Sequence, residues 1–306
     1  MADRPLNPPV ELTTTDAEAI LRRWLGREAR VLRSRRLTGG CCNTVIELSF
    51  DAPGSPVVLK LAHGADAGGI AAEHAALQFL RGNTRFPVPE PFSVDVSAHE
   101  FPYSYLIMQR VPGVNLGDAR LSAQDRVAVQ REMAAAVAEL HTHTRSRFGN
   151  IGGSDAHDNW AAGFQRRLWQ DYEDLEGTRL LSDAGLRRLD AIVDAVPRLL
   201  DAPGRPTLVH GDIWATNIMV DQGRLTGFLD PGGIYAHPEY ELAYLEIWHT
   251  ADDTFFDVYH AHHPRIGGYE QRRRIYWLHT LLVHVWLFQA DHYVRSAEAL
   301  LAQLQP

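Results

Sequence analysis

The sequence predicts an α+β fold with two lobes, a small β-rich N-lobe over residues 1–111 and a larger, mainly helical C-lobe over residues 112–306. In the first third, short apolar segments of strand length are separated by turns rich in Gly and Pro. From about residue 121, apolar residues recur at helical spacing over long stretches. One polar hairpin pattern interrupts this helical part. Together these three observations indicate two lobes joined by the short connector VPGVNLG.

The N-lobe begins with a predicted helix in TTTDAEAILRRWLG, where Thr15 and Glu18 have the spacing of a capping box. Predicted strands follow in ARVLRSRRL, TVIELSF and PVVLKLA, divided by the turns LTGGCCN and DAPGS. The segment GIAAEHAALQFL has the pattern of a helix, and YSYLIMQRV that of a buried strand. The first third is therefore predicted to be rich in strands.

The C-lobe carries three long helical patterns. They are SAQDRVAVQREMAAAVAELHTHT, DNWAAGFQRRLWQDYEDL and the run from about Gly268 to Leu304. Before the last run, two short apolar segments flank the turn Asp221-Gln222-Gly223-Arg224, which indicates a hairpin.

Composition and charge exclude several classes of function. The chain carries 30 Lys and Arg against 38 Asp and Glu, so its formal net charge of −8 opposes binding to nucleic acid. No stretch reaches the ~18 uninterrupted apolar residues of a membrane span, so no membrane partner is expected. The N-terminus lacks the pattern of a signal peptide. The two cysteines, Cys41 and Cys42, are adjacent and offer no disulfide framework, so we expect a cytoplasmic protein.

The segment HGDIWATN, His210 to Asn217, carries the clearest chemical signal, together with Asp230 thirteen residues later. Transfer of a phosphoryl group to a hydroxyl requires a carboxylate near the acceptor proton and oxygen ligands for Mg²⁺. We therefore predict Asp212 as the catalytic base, and Asn217 and Asp230 as Mg²⁺ ligands. The alternative is a polar loop with helix-capping residues, but the flanking His-Gly and the preceding apolar strand TLV oppose it.

Lys60 lies in the apolar segment VVLKLA, and Glu73 follows thirteen residues later in a predicted helix. A kinase needs an ammonium on the ATP phosphates and a carboxylate that holds it. A strand-edge Lys and a solvated Glu are the alternative. Upstream, Gly39 and Gly40 would let backbone N–H groups approach phosphate, or they form an ordinary hairpin turn.

Fifteen histidines raise the alternative of a zinc site, for example through His141 and His143. No HExxH pattern occurs, and no cysteines accompany these histidines. We therefore predict that most of them lie on polar faces or at helix ends.

The string HGDIWATN followed by FLDPGGIYAHPEYELAY resembles the fructosamine kinase (ketosamine 3-kinase) family, a branch of the aminoglycoside phosphotransferase and choline kinase superfamily with a protein-kinase-like fold. The matching residues are Trp214, Pro231, Tyr235, His237, Glu239 and Glu241. The segment GGCCN also resembles the phosphate loop of the family. The departures from the family pattern are Ala215-Thr216, Gly232-Gly233, Ala236 and Cys42.

The resemblance implies ATP and Mg²⁺ as cofactors, and it implies roles for particular residues. Lys60 and Glu73 would anchor the phosphates, and Glu241 would brace the catalytic loop. The resemblance implies nucleotide contacts from two further segments. One is the loop with Gly39, Gly40 and Cys41. The other is the adenine-binding hinge from Met108 to Val111, in which Met108, Gln109 and Val111 would contact the nucleotide. The residues predicted to contact the acceptor are Trp214, Tyr235 and His237.

The leading functional hypothesis is a kinase for a small-molecule hydroxyl acceptor, a fructosamine or ribulosamine. An antibiotic phosphotransferase and a catalytically silent ATP-binding module are the alternatives. Because a thiol beside a phosphate loop favours the thiolate, a redox-sensitive homodimer through Cys41 is a further hypothesis. The other possibility is that Cys41 and Cys42 are ordinary loop residues.

Overall fold

The computed structural model describes residues 7–37, 43–63 and 67–306, apart from the side chain of Ala67. The chain divides into two compact units. The first comprises Met1–Arg120 and Thr216–Gly232, and the second comprises Leu121–Ala215 and Gly233–Pro306. Gly39, Gly40 and Cys41 lie outside the described residues. The phosphate loop and the homodimer through Cys41 therefore stay predictions.

The helices and strands follow one another along the chain. The N-terminal part holds α1 (Thr14–Leu25), β1 (Val31–Arg36), β2 (Thr44–Phe50), β3 (Val57–His63), α2 (Ala67–Asn83), β4 (Pro91–Asp95), β5 (Tyr103–Gln109) and β6 (Val114–Asn115). Next come α3 (Ala123–Leu140), β7 (Gly149–Asn150), α4 (Trp160–Leu175), α5 (Asp183–Leu199), β8 (Thr207–Val209), a 3₁₀ turn (Ala215–Asn217), β9 (Ile218–Asp221) and β10 (Arg224–Phe228). The C-terminal part holds β11 (Ile234–Ala236), α6 (Pro238–Ile247), α7 (Asp253–His262), α8 (Tyr269–Phe288) and α9 (Asp291–Gln303).

The first unit contains an antiparallel sheet of five strands in the order β1-β2-β3-β5-β4. β3 is central and is buried along all but its last residue, as its continuous apolar run predicts. Ile20 and Leu21 of α1 share a buried core with Leu48 and Leu59 of the sheet. α2 contacts β3, β4 and β5. The β-rich character predicted for the N-terminal part is confirmed.

The start of α1 differs from the prediction. The side chain of Thr13 caps the helix by accepting a hydrogen bond from the backbone N–H of Asp16. The predicted capping box of Thr15 and Glu18 is wrong, because the Glu18 carboxylate accepts the N–H of Val31 instead, at 3.0 Å. Three consecutive threonines offer three possible caps, so spacing alone does not select among them.

β6, β9 and β10 form a second sheet of the first unit, in the order β10-β9-β6. The predicted hairpin is confirmed, since Arg224 pairs with Asp221. Both central turn residues, Gln222 (φ 48°) and Gly223 (φ 75°), are left-handed, as a type I′ turn requires. β6 pairs with β9, so this hairpin belongs to the first unit rather than to the helical second unit.

Gly113 makes the approach of β6 to β9 possible. Its φ of 93° is left-handed, and a Cβ built there would lie 2.0 Å from the carbonyl oxygen of Val220. A residue with a side chain would therefore push the two strands apart.

The second unit is mainly helical, as predicted. α8 contacts α4, α5, α6 and α9, and α3 contacts α7. Its small sheet has the order β7-β11-β8. The predicted C-terminal helical run consists of two helices, since left-handed Gln289 (φ 52°) ends α8. None of the helices in the described part of the chain has the length and apolar content of a membrane span.

Candidate active site

β3 places Lys60 in the middle of the large sheet, opposite Leu106 of β5. Its Nζ lies 2.6 Å from Glu73 Oε2 of α2, and only 7% and 9% of the two side chains are exposed. A buried ammonium requires a counter-ion, because removing it from water is costly. The structure thus brings together the Lys and Glu that the sequence pairs.

Asp230 adds a second carboxylate to Lys60 Nζ. Burial alone would lower the pKa of Lys60, but the charges of Asp230 and Glu73 outweigh burial and raise the pKa. Lys60 is therefore an ammonium. Burial raises the pKa of Glu73, and repulsion from Asp230 raises it further.

The backbone of Asp230 is left-handed, with a φ of 58°. This conformation is uncommon for residues other than glycine, and such strain concentrates at functional sites. The preceding Leu229 donates its N–H to the carbonyl oxygen of Asn217 at 2.7 Å. This bond ties the segment before Asp230 to Asn217. A carboxylate and a side-chain amide oxygen are donors that suit Mg²⁺.

A cavity of about 280 Å³ in the first unit joins these groups. Lys60 and Glu73 lie on its wall, as do Asn217 and Asp230. Its apolar lining comes from Leu37, Val45, Val58, Met108, Val111, Val114, Met219 and Leu229. The cavity is thus apolar on some walls and charged on others, which suits a ligand with a flat apolar ring and an anionic tail.

The predicted hinge, Met108 to Val111, borders the same cavity. Arg110 fixes its shape, since its guanidinium donates to Glu47 Oε2 at 2.7 Å and to the carbonyl oxygen of Gly113 at 3.1 Å. Burial would raise the pKa of Glu47, but hydrogen bonds from Arg110 and Arg35 lower it. Glu47 is therefore a charged anchor for the hinge.

In the second unit, Asp212 follows β8 on the HGD loop, His210 to Asp212. The hydroxyl of Tyr244, on α6, donates to Asp212 Oδ1 at 2.5 Å. The backbone N–H of Asp212 donates to His210 Nδ1 at 3.2 Å. Gly211 between them is left-handed, with a φ of 90°. The loop therefore turns sharply and holds the carboxylate against α6.

Glu241 of α6 holds the backbone of this loop. Its carboxylate accepts the N–H of Gly211 at 2.6 Å and that of His210 at 3.2 Å. His141 Nε2 donates to the same carboxylate at 3.0 Å, while Tyr259 donates to His141 Nδ1 at 2.6 Å. Burial would raise the pKa of Glu241, but the hydrogen bond from His141 and, with a smaller effect, that from the N–H of Gly211 lower it. A buried carboxylate thus organises the loop that carries Asp212.

The three candidate acceptor residues have different surroundings. Trp214 is half-buried. Tyr235 is buried in β11 under the guanidinium of Arg145, whose Cζ lies 4.2 Å from the ring centroid. His237 is buried and caps α6 by accepting the N–H of Glu239 at 3.3 Å. Ala236 pairs with Thr207, whereas Ile234 pairs with Val209 next to the HGD loop. His237 therefore follows the end of β11 away from that loop, and its contact with an acceptor stays a prediction.

Sequence reasoning missed Tyr244, Tyr259 and Arg145, and it considered His141 only for zinc. Tyr244 lies three residues after Glu241 in a helix, a spacing that places both on one face. That spacing was an available signal. The partners of His141 are 100 and 118 residues away in the sequence, so no local pattern reveals them.

Comparison with known proteins identifies relatives along most of the chain. A family model described as fructosamine kinase matches residues 13–305. Protein-ribulosamine 3-kinase, chloroplastic, of Arabidopsis thaliana is 26% identical over 300 residues, which cover 90% of this chain and 85% of that protein. A probable ketoamine kinase of Enterococcus faecium is 30% identical over 174 residues, which cover 52% of this chain and 61% of that protein.

Solved structures share the fold. A provisionally named fructosamine-3-kinase from Haemophilus somnus 129PT has a TM-score of 0.78 at 18% identity, covering 94% of this chain and 96% of that one. A thermostable mutant of aminoglycoside phosphotransferase APH(4)-Ia, in a ternary complex with AMP-PNP and hygromycin B, has a TM-score of 0.67 at 20% identity. It covers 93% of this chain and 96% of that one. The predicted protein-kinase-like fold is confirmed.

Proposed function

Because the chain belongs to the fructosamine kinase family, we propose that it transfers the γ-phosphoryl group of Mg·ATP to a hydroxyl of a ketosamine, a fructosamine or ribulosamine. As a member of this family it is a small-molecule phosphotransferase with an alcohol group as acceptor. The observation that carries the proposal is the cavity in which Lys60, Glu73, Asn217 and Asp230 meet. A catalytically silent ATP-binding module has no need of all four.

The nucleotide half of the proposal rests on the first unit. The apolar walls and the hinge would receive the adenine ring, and the Lys60 ammonium, held by Glu73, would bind phosphate oxygens. Asn217 and Asp230 would hold Mg²⁺, which when bound neutralises charge on the phosphates. The contact of Asp230 with Lys60 supports this assignment, since it brings the carboxylate to the ammonium that would bind the same phosphates.

The acceptor half rests on the HGD loop. Asp212 would accept the hydrogen bond of the acceptor hydroxyl, orient it and take its proton during transfer. Glu241 would keep the loop in shape through the N–H groups of His210 and Gly211. Contacts of the acceptor with Trp214, Tyr235 and His237 are further predictions.

The test is phosphorylation of defined acceptors. The purified chain is incubated with ATP and Mg²⁺ and with fructosyl-lysine, ribulosyl-lysine or an aminoglycoside, and the mass gain of one phosphate is measured. We expect a ketosamine to be phosphorylated, with aminoglycosides poorer by at least about tenfold in kcat/KM. Asp212→Asn should bind ATP as wild type does and lose most turnover.

Two outcomes would replace the proposal. If an antibiotic hydroxyl is phosphorylated and no ketosamine is, the chain is an antibiotic phosphotransferase. ATP binding without phosphorylation of either acceptor class would favour the silent module.

A further inference from the structure

Tyr244 contacts the proposed base directly, through its hydrogen bond to Asp212 Oδ1. We propose that Tyr244 is a positioning residue for phosphoryl transfer, which holds Oδ1 of Asp212 so that Oδ2 receives the proton of the acceptor hydroxyl. This inference rests on the proposed role of Asp212 as the base. It adds that the two carboxylate oxygens of Asp212 have different roles.

The direction of the hydrogen bond is determined by the protonation of Tyr244. Burial, and then the charge of Asp212, raise the pKa of Tyr244 well above its ordinary value of 10. The phenol therefore stays protonated at neutral pH, so it donates and the carboxylate accepts. A donor of this kind stabilises the ionised form of a carboxylate. Asp212 is thereby kept ready to accept a proton.

Tyr244 is itself held in place by aromatic contacts. Its ring packs edge-on against Trp248, with centroids 6.1 Å apart and planes at 74°. Trp248 in turn packs against His284 of α8, at a centroid distance of 4.7 Å, and against Tyr293 of α9. A ring fixed on its apolar side gives its hydroxyl a defined direction.

Helix α6 contacts the HGD loop at two points. Glu241 of α6 holds the backbone N–H groups of His210 and Gly211, and Tyr244, three residues later, holds the side chain of Asp212. Helical spacing of three residues places both on one face. α6 therefore fixes the position of the loop and, separately, the rotation of its carboxylate.

The chemistry benefits from this arrangement. The acceptor proton moves to Oδ2 as the acceptor oxygen forms its bond to the γ-phosphorus and the bond from that phosphorus to the β–γ bridging oxygen breaks, releasing ADP. Because the transition state of phosphoryl transfer is loose, the carboxylate contributes more by orienting the acceptor than by strong basicity. A hydrogen bond that lowers basicity but fixes orientation then favours the reaction.

The titratable groups that face Asp212 in the described residues include His210, on its own loop, whose Nδ1 accepts the N–H of Asp212. They also include Tyr240 on α6, whose pKa is raised by burial and, to a lesser degree, by the charge of Asp212. The ring of Tyr240 packs against Trp160, Phe164 and Tyr276. Tyr240→Phe therefore removes a hydroxyl from the same helix without removing the bond to Oδ1, which makes it a matched control.

The experiment compares Tyr244→Phe, Tyr240→Phe and wild type by the pH dependence of kcat with the best ketosamine. Tyr244→Phe should lower kcat about tenfold and leave KM within about threefold. Without this donor the pKa of Asp212 is higher. The acid limb of the pH profile of kcat, where kcat falls as the pH is lowered, should therefore shift to higher pH by about one unit. Tyr240→Phe should change neither kcat nor the position of the acid limb. Equal melting temperatures would establish that the variants are folded.

A second measurement does not depend on activity. The side-chain carboxyl of Asp212, labelled with ¹³C and assigned by its loss in Asp212→Asn, should titrate at higher pH in Tyr244→Phe than in wild type. An unchanged titration and an unchanged acid limb would overturn the inference, as would the same shifts in Tyr240→Phe. Failure to phosphorylate any ketosamine would count against the proposed function alone, because the carboxyl titration still decides the role of Tyr244.

Discussion

The carboxylate of Glu241 accepts the backbone N–H of Gly211 at 2.6 Å, and it links α6 to a loop 30 residues earlier in the sequence. Fully buried, it also receives the N–H of His210 and the imidazole of His141. One charged group thus satisfies three donors. A neutral replacement leaves at least one of them weakly bonded, so the effects of replacing Glu241 can be predicted.

Glu241→Gln should lower the free energy of unfolding by about 2 kcal/mol, the size of a lost hydrogen bond to a charged group. It should also lower kcat at least about tenfold, because the loop that carries Asp212 loses its brace. Urea unfolding and steady-state kinetics measure the two effects. Glu246→Gln, on the same helix, is the control, and an equal loss of kcat there would contradict the prediction.

The stabilisation by Glu241 should also depend on pH. Its pKa is lowered in the folded chain, so its stabilisation is complete above the ordinary value of 4.5 and is lost as pH falls further. The difference in unfolding free energy between wild type and Glu241→Gln should therefore shrink below about pH 4.5. Urea titrations at pH 7, 5 and 4 measure it, and a difference that grows on acidification would refute the assignment.

Lys60→Met should weaken ATP binding and leave Glu73 buried beside Asp230 without its ammonium. Breaking a buried pair from one side costs about 3–5 kcal/mol, less whatever Glu73 recovers by taking up a proton. The double variant Lys60→Met, Glu73→Gln should regain part of the stability but none of the ATP affinity. Calorimetric titration with ATP and chemical unfolding separate these effects. Equal stability of the single and double variants would show that the pair is not coupled.

Asp230→Asn should raise the Mg²⁺ concentration needed for half-maximal activity at least about tenfold, because it removes a charged oxygen ligand. Asparagine tolerates the left-handed backbone, so the variant tests the charge rather than the fold. Asp221→Asn, in the same hairpin, is the control. A Mg²⁺ titration that matches wild type would remove Asp230 from the metal site.

Gly113→Ala should unfold the chain or destabilise it by more than about 3 kcal/mol, since a Cβ would overlap the carbonyl of Val220 at a left-handed backbone position. Gly68→Ala is the matched control, because nothing lies within 4 Å of a Cβ there and Gly68 is in α2. Because Gly68 lies in the first turn of α2, that change should leave the stability within about 1 kcal/mol of wild type. Thermal unfolding of the two variants measures the contrast.

The parts of the fold that local chemistry determines were predictable from the sequence. The Gln222-Gly223 turn identified the hairpin because few residues adopt two successive left-handed conformations. The run VVLKLA identified the buried strand that carries Lys60. The break at Gln289 was missed, because the apolar pattern continues through it and a single left-handed residue has no strong sequence signal.

The residues of the candidate site that belong to short sequence motifs were predictable. His210 to Asn217 and Asp230 indicated phosphoryl transfer from their types and spacing. Tyr244, His141 and Tyr259 were not assigned, since their roles come from contacts 32 to 118 residues away in the sequence. Such contacts depend on how helices pack, which a motif does not encode.

The pairing of β6 with β9 has a consequence for synthesis on the ribosome. The three-stranded sheet of the first unit and the cavity need Thr216–Gly232, yet 95 residues of the other unit, Leu121–Ala215, are translated in between. The ribosome synthesises a chain from its N-terminus at about 5–20 residues per second. The last strands of the first unit are therefore made on the order of ten seconds after the preceding part of that unit. During that interval the nascent chain holds Lys60 and Glu73 but neither Asn217 nor Asp230. A truncated product that ends before residue 216 would accordingly lack both candidate metal ligands.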